Sequence, residues 1–215
     1  NGKSVYMQLK QDADGHDLDP ADPDNWTVPT PIYRNDASLL NGNKQLAATA
    51  SGGVGKSHDM TYFQEADGRS YYAWQQLGAT YIATMDPKDP AHVTSSPVRI
   101  VTPEYAWNAA IAEGPNVTLR DGKLYLMFSG SGVGKTYTTG LAVADASGTD
   151  LTDPASWTVL NYPIQKSGPF NGEMQLGTGH GMWSEDEDGN QIYVFHAYAT
   201  KNLGSVNAAG RDMFV

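Results

Sequence analysis

One hairpin recurs along this chain, and its recurrence leaves few folds open. In residues 111–126 a strand-forming run enters Arg120-Asp121-Gly122-Lys123 and leaves through Leu124-Tyr125-Leu126. Asp-Gly between two such runs signals a tight β-hairpin. Glu113 stands nine residues before the turn glycine Gly122. Asp59 stands nine before Gly68, and His180 nine before Gly189, each ahead of its own Asp-Gly turn. A fourth turn, Asn1-Gly2-Lys3, opens the chain. Three titratable side chains thus occupy one offset in three copies. Copies arranged around an axis would bring them together there.

A second landmark repeats. Asp22-Pro23-Asp24-Asn25-Trp26 returns as Asp89-Pro90-Ala91-His92-Val93 and as Asp153-Pro154-Ala155-Ser156-Trp157. The turn glycines are 66, 54 and 67 residues apart, room for four strands with generous loops. Strands are expected at 3–9, 71–75, 79–85, 124–129, 137–144, 191–197 and from 211. Loops are expected at 11–23, 34–57, 102–110 and 167–179, the last two delivering Glu113 and His180. No segment keeps a helical period. Strand blocks of three or four without helices point to an all-β fold built by radial repetition, a β-propeller.

Composition narrows the function. The net charge is -10 and no basic cluster is present, which argues against a nucleic-acid partner. No apolar run has the length to span a bilayer as a helix. The chain has no cysteine, hence no disulfide, thiolate metal site or cysteine nucleophile. Glu113 stands among Ile111, Val117 and Leu119. Withdrawal from water favours the protonated form of a carboxyl, and a protonated carboxyl can act as a general acid. Two acids and a histidine with Trp and Tyr nearby suit glycoside cleavage: a proton for the leaving oxygen and flat faces for sugar rings.

At these phrases the chain resembles glycoside hydrolase family 43. The resemblance is carried by Glu113-Gly114-Pro115, by residues 58–63 (His-Asp-Met-Thr-Tyr-Phe), by 103–107 (Pro-Glu-Tyr-Ala-Trp) and by 177–181 (Gly-Thr-Gly-His-Gly). Residues 193–197 (Tyr-Val-Phe-His-Ala) and Gly210-Arg211 add to it. It implies a five-bladed propeller, present here in part as a single domain. The end of blade two would cover 1–54, blade three 55–108, blade four 109–174 and blade five 175–215, about three to four blades. It implies inverting hydrolysis of arabinose- or xylose-containing plant glycans, first as an exo-acting α-L-arabinofuranosidase. A β-xylosidase, an endo-arabinanase and a non-catalytic sugar-binding propeller are the alternatives. By resemblance Glu113 is the acid, Asp59 the tuning Asp and Arg211 a substrate contact. His180 is the axial histidine beside substrate, water or a calcium ion held through water; no cofactor is required. The family's general base would lie upstream of Asn1, in a longer protein. A bacterial secreted or cell-surface location is expected, with the cytoplasm also compatible.

Each residue also has a plainer reading. Asp59 alone could cap a turn, and Arg211 could be an edge-strand arginine. His180 makes no metal site without several oxygen partners. His196, in an apolar strand, reads as a hydrogen-bonded core histidine. Trp26 and Trp157 read as packing between blades. Trp107 and Trp183, beside the inner strand heads, are the candidates for sugar stacking. Residues 52–57 lack the first glycine of a phosphate loop and no helix follows.

Overall fold

The turn ends of the hairpins are built from their own residues. Asp67 Oδ1 accepts from the Arg69 N–H and Asp186 Oδ1 from the Asp188 N–H, both at 3.0 Å. These short loops, closed by an aspartate's own side chain, reverse the chain without outside help. The computed structural model describes residues 4–37, 40, 57–170, 172–199 and 210–215. The expected turn at Asn1-Gly2-Lys3 and the glycine-rich stretch at 52–56 lie outside these residues.

Three antiparallel sheets follow one another along the chain, after a small pair formed by β1 (Val5–Tyr6) and β2 (Thr30–Pro31). The first holds β3 (His58–Gln64), β4 (Ser70–Gln76), β5 (Ala79–Asp86) and β6 (Asp89–Val93), with β7 (Val98–Val101) also paired to β5. The second runs β8 (Ala112–Arg120), β9 (Lys123–Gly130), β10 (Thr138–Asp145) and β11 (Thr158–Val159). The third runs β12 (Gly168–Phe170), β13 (Glu173–Glu185), β14 (Gln191–Ala199) and β15 (Arg211–Phe214). β8 lies against both β3 and β13. The three leading strands therefore line one axis, as blades of a propeller require. No helix among the described residues is long and apolar enough to cross a membrane.

β4 shows why the sheets stack. Every residue of it is buried. Tyr71 and Ala73 enter a core shared with Phe128 and Leu126 of the second sheet and with Trp157, just ahead of β11. Tyr72 and Trp74, pointing the other way, enter a core with Ile32 and Leu40. Successive strand residues face opposite sides, so a strand apolar on both faces must be covered on both.

Three expectations change. Residues 167–179 are not a loop: β12 and the start of β13 occupy them, and His180 sits inside β13 rather than at its head. Of the described residues 4–9, only Val5–Tyr6 form a strand. The Asp-Pro phrase is one structure in two copies, not three. In Asp22–Trp26 and Asp153–Trp157 the Asp caps a short 3-10 turn and the Trp indole donates to a carbonyl six residues back, that of Pro20 or Leu151. Asp89–Val93 is instead strand β6. It has Val93 where the others have Trp, so it lacks that indole donor, and the Asp86-to-Asp89 turn draws it onto β5. Trp157 is buried in the core between the first two sheets, as expected.

Candidate active site

At the end of the blades opposite the Asp-Gly turns, all three leading strands carry a β-bulge at the same height. Pairing skips from His58/Gln75 to Thr61/Ala73, from Glu113/Ser129 to Asn116/Met127, and from Gly179/His196 to Met182/Val194. The first bulged residues are Asp59, Gly114 and His180, with φ of 55°, 58° and 47°. Bulges re-aim side chains at strand ends, and a non-glycine residue in this region is uncommon enough to mark a site.

This register corrects the sequence count. Asp59 and His180 are equivalent, but the second sheet's equivalent is Gly114; Glu113 lies one residue earlier. The β8–β9 hairpin closes through two residues, whereas β3–β4 and β13–β14 use five. Glu113 shares the nine-residue offset because that shorter turn, one more strand pair and its place ahead of the bulge compensate. The position that symmetry would give to an acid is instead glycine. A Cβ on Gly114 would stand 3.2 Å from the His180 ring.

The three groups nevertheless meet. The Gly114 N–H donates to Asp59 Oδ2 at 3.2 Å, and Asp59 Oδ1 lies 3.8 Å from His180 Nε2. The His180 N–H donates to Ser129 Oγ at 2.6 Å. Tyr137 Oη donates to Glu113 Oε1 at 2.5 Å and lies 3.3 Å from His180 Nδ1. Tyr137 is 1% exposed. Burial, then the Glu113 charge, holds its phenol far above the ordinary tyrosine range, so it remains a donor. Glu113 Oε2 makes no hydrogen bond among the described residues.

Beyond His180 the group continues into β14 and β15. The His196 ring stacks near Tyr137 (5.9 Å) and His180 (6.2 Å), and Arg211 Nη1 donates to His196 Nε2 at 2.8 Å. His180, Met182, His196, Arg211 and Met213 line an open cleft of about 390 Å³. Glu113, Asp59, His180 and Arg211 thus belong to one linked group. The two tryptophans do not join it. Trp107 stacks between Tyr105 and Phe128 and donates its indole N–H to the Asn161 carbonyl, closing over β9 and β10. Trp183 packs on Tyr193, its backbone N–H donates to Asn116 Oδ1 of β8, and its indole Nε1 is buried with no partner among the described residues; it serves the seam between sheets. Proximity in sequence to a strand head did not carry either ring to the axis.

Tyr137 and His196 were not picked from the sequence. Tyr137 sits in an ordinary strand context, and only its approach to Glu113 from 24 residues away marks it. His196 was read as a satisfied core histidine, but its Nδ1 is buried with no partner among the described residues.

A calcium ion takes about six to eight oxygen ligands. Among the described residues, the oxygens beside the His180 ring are those of Asp59 and Tyr137. The one cluster of three potential metal ligands among the described residues is Asp12, Asp14 and His16, on an exposed loop. The described residues alone do not make a direct calcium shell beside His180.

The sequence profile of Glycosyl hydrolases family 43 matches residues 43–215. The chain belongs to this family. Among curated relatives, the extracellular exo-α-(1→5)-L-arabinofuranosidase of Streptomyces chartreusis is 32% identical over 159 residues, 68% of this chain and 46% of its own. The α-L-arabinofuranosidase 43 of Humicola insolens is 32% identical over 65% of this chain and 30% of its own. The chain therefore spans about half or less of the length of these relatives. Among solved structures, the α-L-arabinofuranosidase from Lactobacillus brevis superposes with a TM-score of 0.71 at 23% identity, covering 98% of this chain and 66% of its own. The family 43 fold is the five-bladed β-propeller, and the three sheets are part of it.

Proposed function

We propose that this family 43 chain carries the acid side of an inverting glycosidase active site, with carbohydrate as substrate. Glu113 is the general acid. Tyr137 holds one of its oxygens, and the unbonded Oε2 delivers the proton to the leaving oxygen. Asp59, bonded to the Gly114 N–H, is a positioning residue: it ties the bulge after Glu113 to His180. Arg211, at the cleft, contacts the sugar. The observation that carries the reading is the convergence of Glu113, Asp59 and His180 at one bulged end of three blades.

An inverting enzyme also needs a water-activating carboxylate roughly 6.5–9.5 Å from the acid. Among the described residues none besides Asp59 contacts this group, so our reading places the base in a part of the protein beyond them. The curated relatives support α-L-arabinofuranosidase action on arabinose-containing glycans, ahead of β-xylosidase or endo-arabinanase action on the same machinery. A relative named as extracellular supports secretion or cell-surface display. No cofactor is required; an ion beside His180 would be held through water, and chelation should leave most of the turnover.

The test is leaving-group dependence in the full-length protein. Glu113→Gln should slow poor leaving groups by about 10²–10⁴ and activated nitrophenyl arabinofuranosides far less, because a good leaving group needs no proton. Equal losses on both would remove Glu113 from the acid role.

A further inference from the structure

Arg211 needs a fixed direction if it is to grip a sugar, and nothing on its own strand supplies one. β15 is four residues long and, among the described residues, pairs only with β14. Tyr198 is paired with Arg211, and His196 with Met213, two residues further on. His196, Tyr198, Arg211 and Met213 therefore share one face of the β14–β15 pair, with His196 diagonal to Arg211. The guanidinium carbon lies 6.0 Å from the Tyr198 ring centroid, and Nη1 reaches His196 Nε2 at 2.8 Å. On its other side the His196 ring lies nearly parallel to Tyr137 (10°) and His180 (18°). Two flat neighbours set the plane of the imidazole, and that plane sets where Nε2 points.

We propose that His196 is a positioning residue, which aims the Arg211 guanidinium into the cleft and fixes it relative to the Tyr137–Glu113 pair. The inference rests on the reading of Arg211 as a sugar contact. Arginine only donates, so Nε2 must be the bare nitrogen and the ring proton sits on Nδ1. Burial, Arg211 and then His180 push the His196 pKa down to about 4, which keeps the ring a neutral acceptor over the working range of pH. A carboxylate in this place would hold the guanidinium more tightly but neutralise it. Among the described residues Arg211 has no carboxylate partner, so its charge stays directed at whatever oxygen enters the cleft.

The experiment is a double-mutant cycle in the full-length protein, read on a nitrophenyl α-L-arabinofuranoside. His196→Phe keeps a flat ring and removes the acceptor; His196→Gln restores an acceptor of similar reach. In the wild-type background His196→Phe should lower kcat/KM by about tenfold, chiefly through KM, the scale of one oriented hydrogen bond. His196→Gln should recover most of it. With Arg211→Ala already present, His196→Phe should change nothing further. Equal losses in both backgrounds, or a fully active His196→Phe beside an impaired Arg211→Ala, would overturn the inference alone. A fully active Arg211→Ala would overturn both the inference and the reading beneath it. Should the Phe variant not fold, His196→Asn, whose amide is too short to reach Arg211, replaces it. Asn weak and Gln active supports the proposal; Asn and Gln alike refutes it.

Discussion

Two tyrosine–glutamate pairs stand at opposite ends of the blades, and they differ in what they leave open. At the turn end, Tyr71 Oη donates to Glu65 Oε2 at 2.7 Å. Glu65 is 2% exposed, and Arg69 lies 3.2 Å from Oε2 while donating to Oε1. Arg69 also reaches the Thr149 carbonyl, in the connection between β10 and β11 of the second sheet. Both oxygens of Glu65 are occupied, and the pair fastens one blade to the next. At the bulge end Tyr137 donates to Glu113, but among the described residues no cation joins and one carboxylate oxygen has no hydrogen bond, and a cleft lies alongside. The same two residue types make a fastening where the carboxylate is saturated and, in the proposed reading, an acid where it is not.

The comparison would break first at the glutamates. Glu113→Gln should cost about 10²–10⁴ in turnover on poor leaving groups with little change in Tm. Glu65→Gln should leave turnover intact. A turnover loss in both would mean that saturation does not separate the two roles.

The tyrosines divide the same way at smaller scale. Tyr71→Phe leaves a buried carboxylate short of a donor and should lower stability by about 1–3 kcal/mol, visible in denaturant unfolding, with kcat unchanged. Tyr137→Phe should lower kcat by about tenfold, again the scale of one hydrogen bond. If Tyr137→Phe instead acts only on stability, Tyr137 is a core residue and the pairs are alike.

Gly114→Ala tests the bulge rather than the pair. It puts a Cβ 3.2 Å from the His180 ring at a φ of 58°, a region costing about 1–2 kcal/mol for a residue with a side chain. A severalfold fall in kcat with the fold retained is expected, since His180 must move. Unaltered kinetics would show that His180 does not depend on this approach.

The smallest effect is one of pH on stability. Burial holds Glu65 above the ordinary glutamate range, against the pull of Tyr71 and Arg69. A carboxyl with a raised folded value favours folding most below its unfolded value, and that advantage is lost as pH rises through the folded one. From about pH 4 upward the wild type should lose stability relative to Glu65→Gln. A difference that stays flat, or grows in favour of the wild type, would show Glu65 to be a net stabilising ion.

The residues themselves carry more of one end than of the other. Asp67 and Asp186 bond to N–H groups two residues on, so their turns were legible from short runs of sequence. A strand at 71–75 was legible too, but not that the whole of Ser70–Gln76 is buried. Glu113, Asp59 and His180 were also legible, though the equal spacing that drew attention to them was not a structural equivalence. Trp107 and Trp183 were misplaced because closeness to a strand head says nothing of which face a ring takes once a bulge intervenes.

What the sequence by itself determined is therefore local: the hairpins, the capped turns, the all-β class, and the identity of the titratable groups ahead of each turn. Tertiary structure alone decided what those groups touch. The Tyr137–Glu113 bond spans 24 residues, the Gly114–Asp59 bond 55 and the His180–Ser129 bond 51. Turn chemistry acts within a few residues, whereas these contacts exist only after three sheets have stacked on a common axis. Periodicity reports which face a residue takes on its own strand, and it carries no information about the partner another blade will bring to that face.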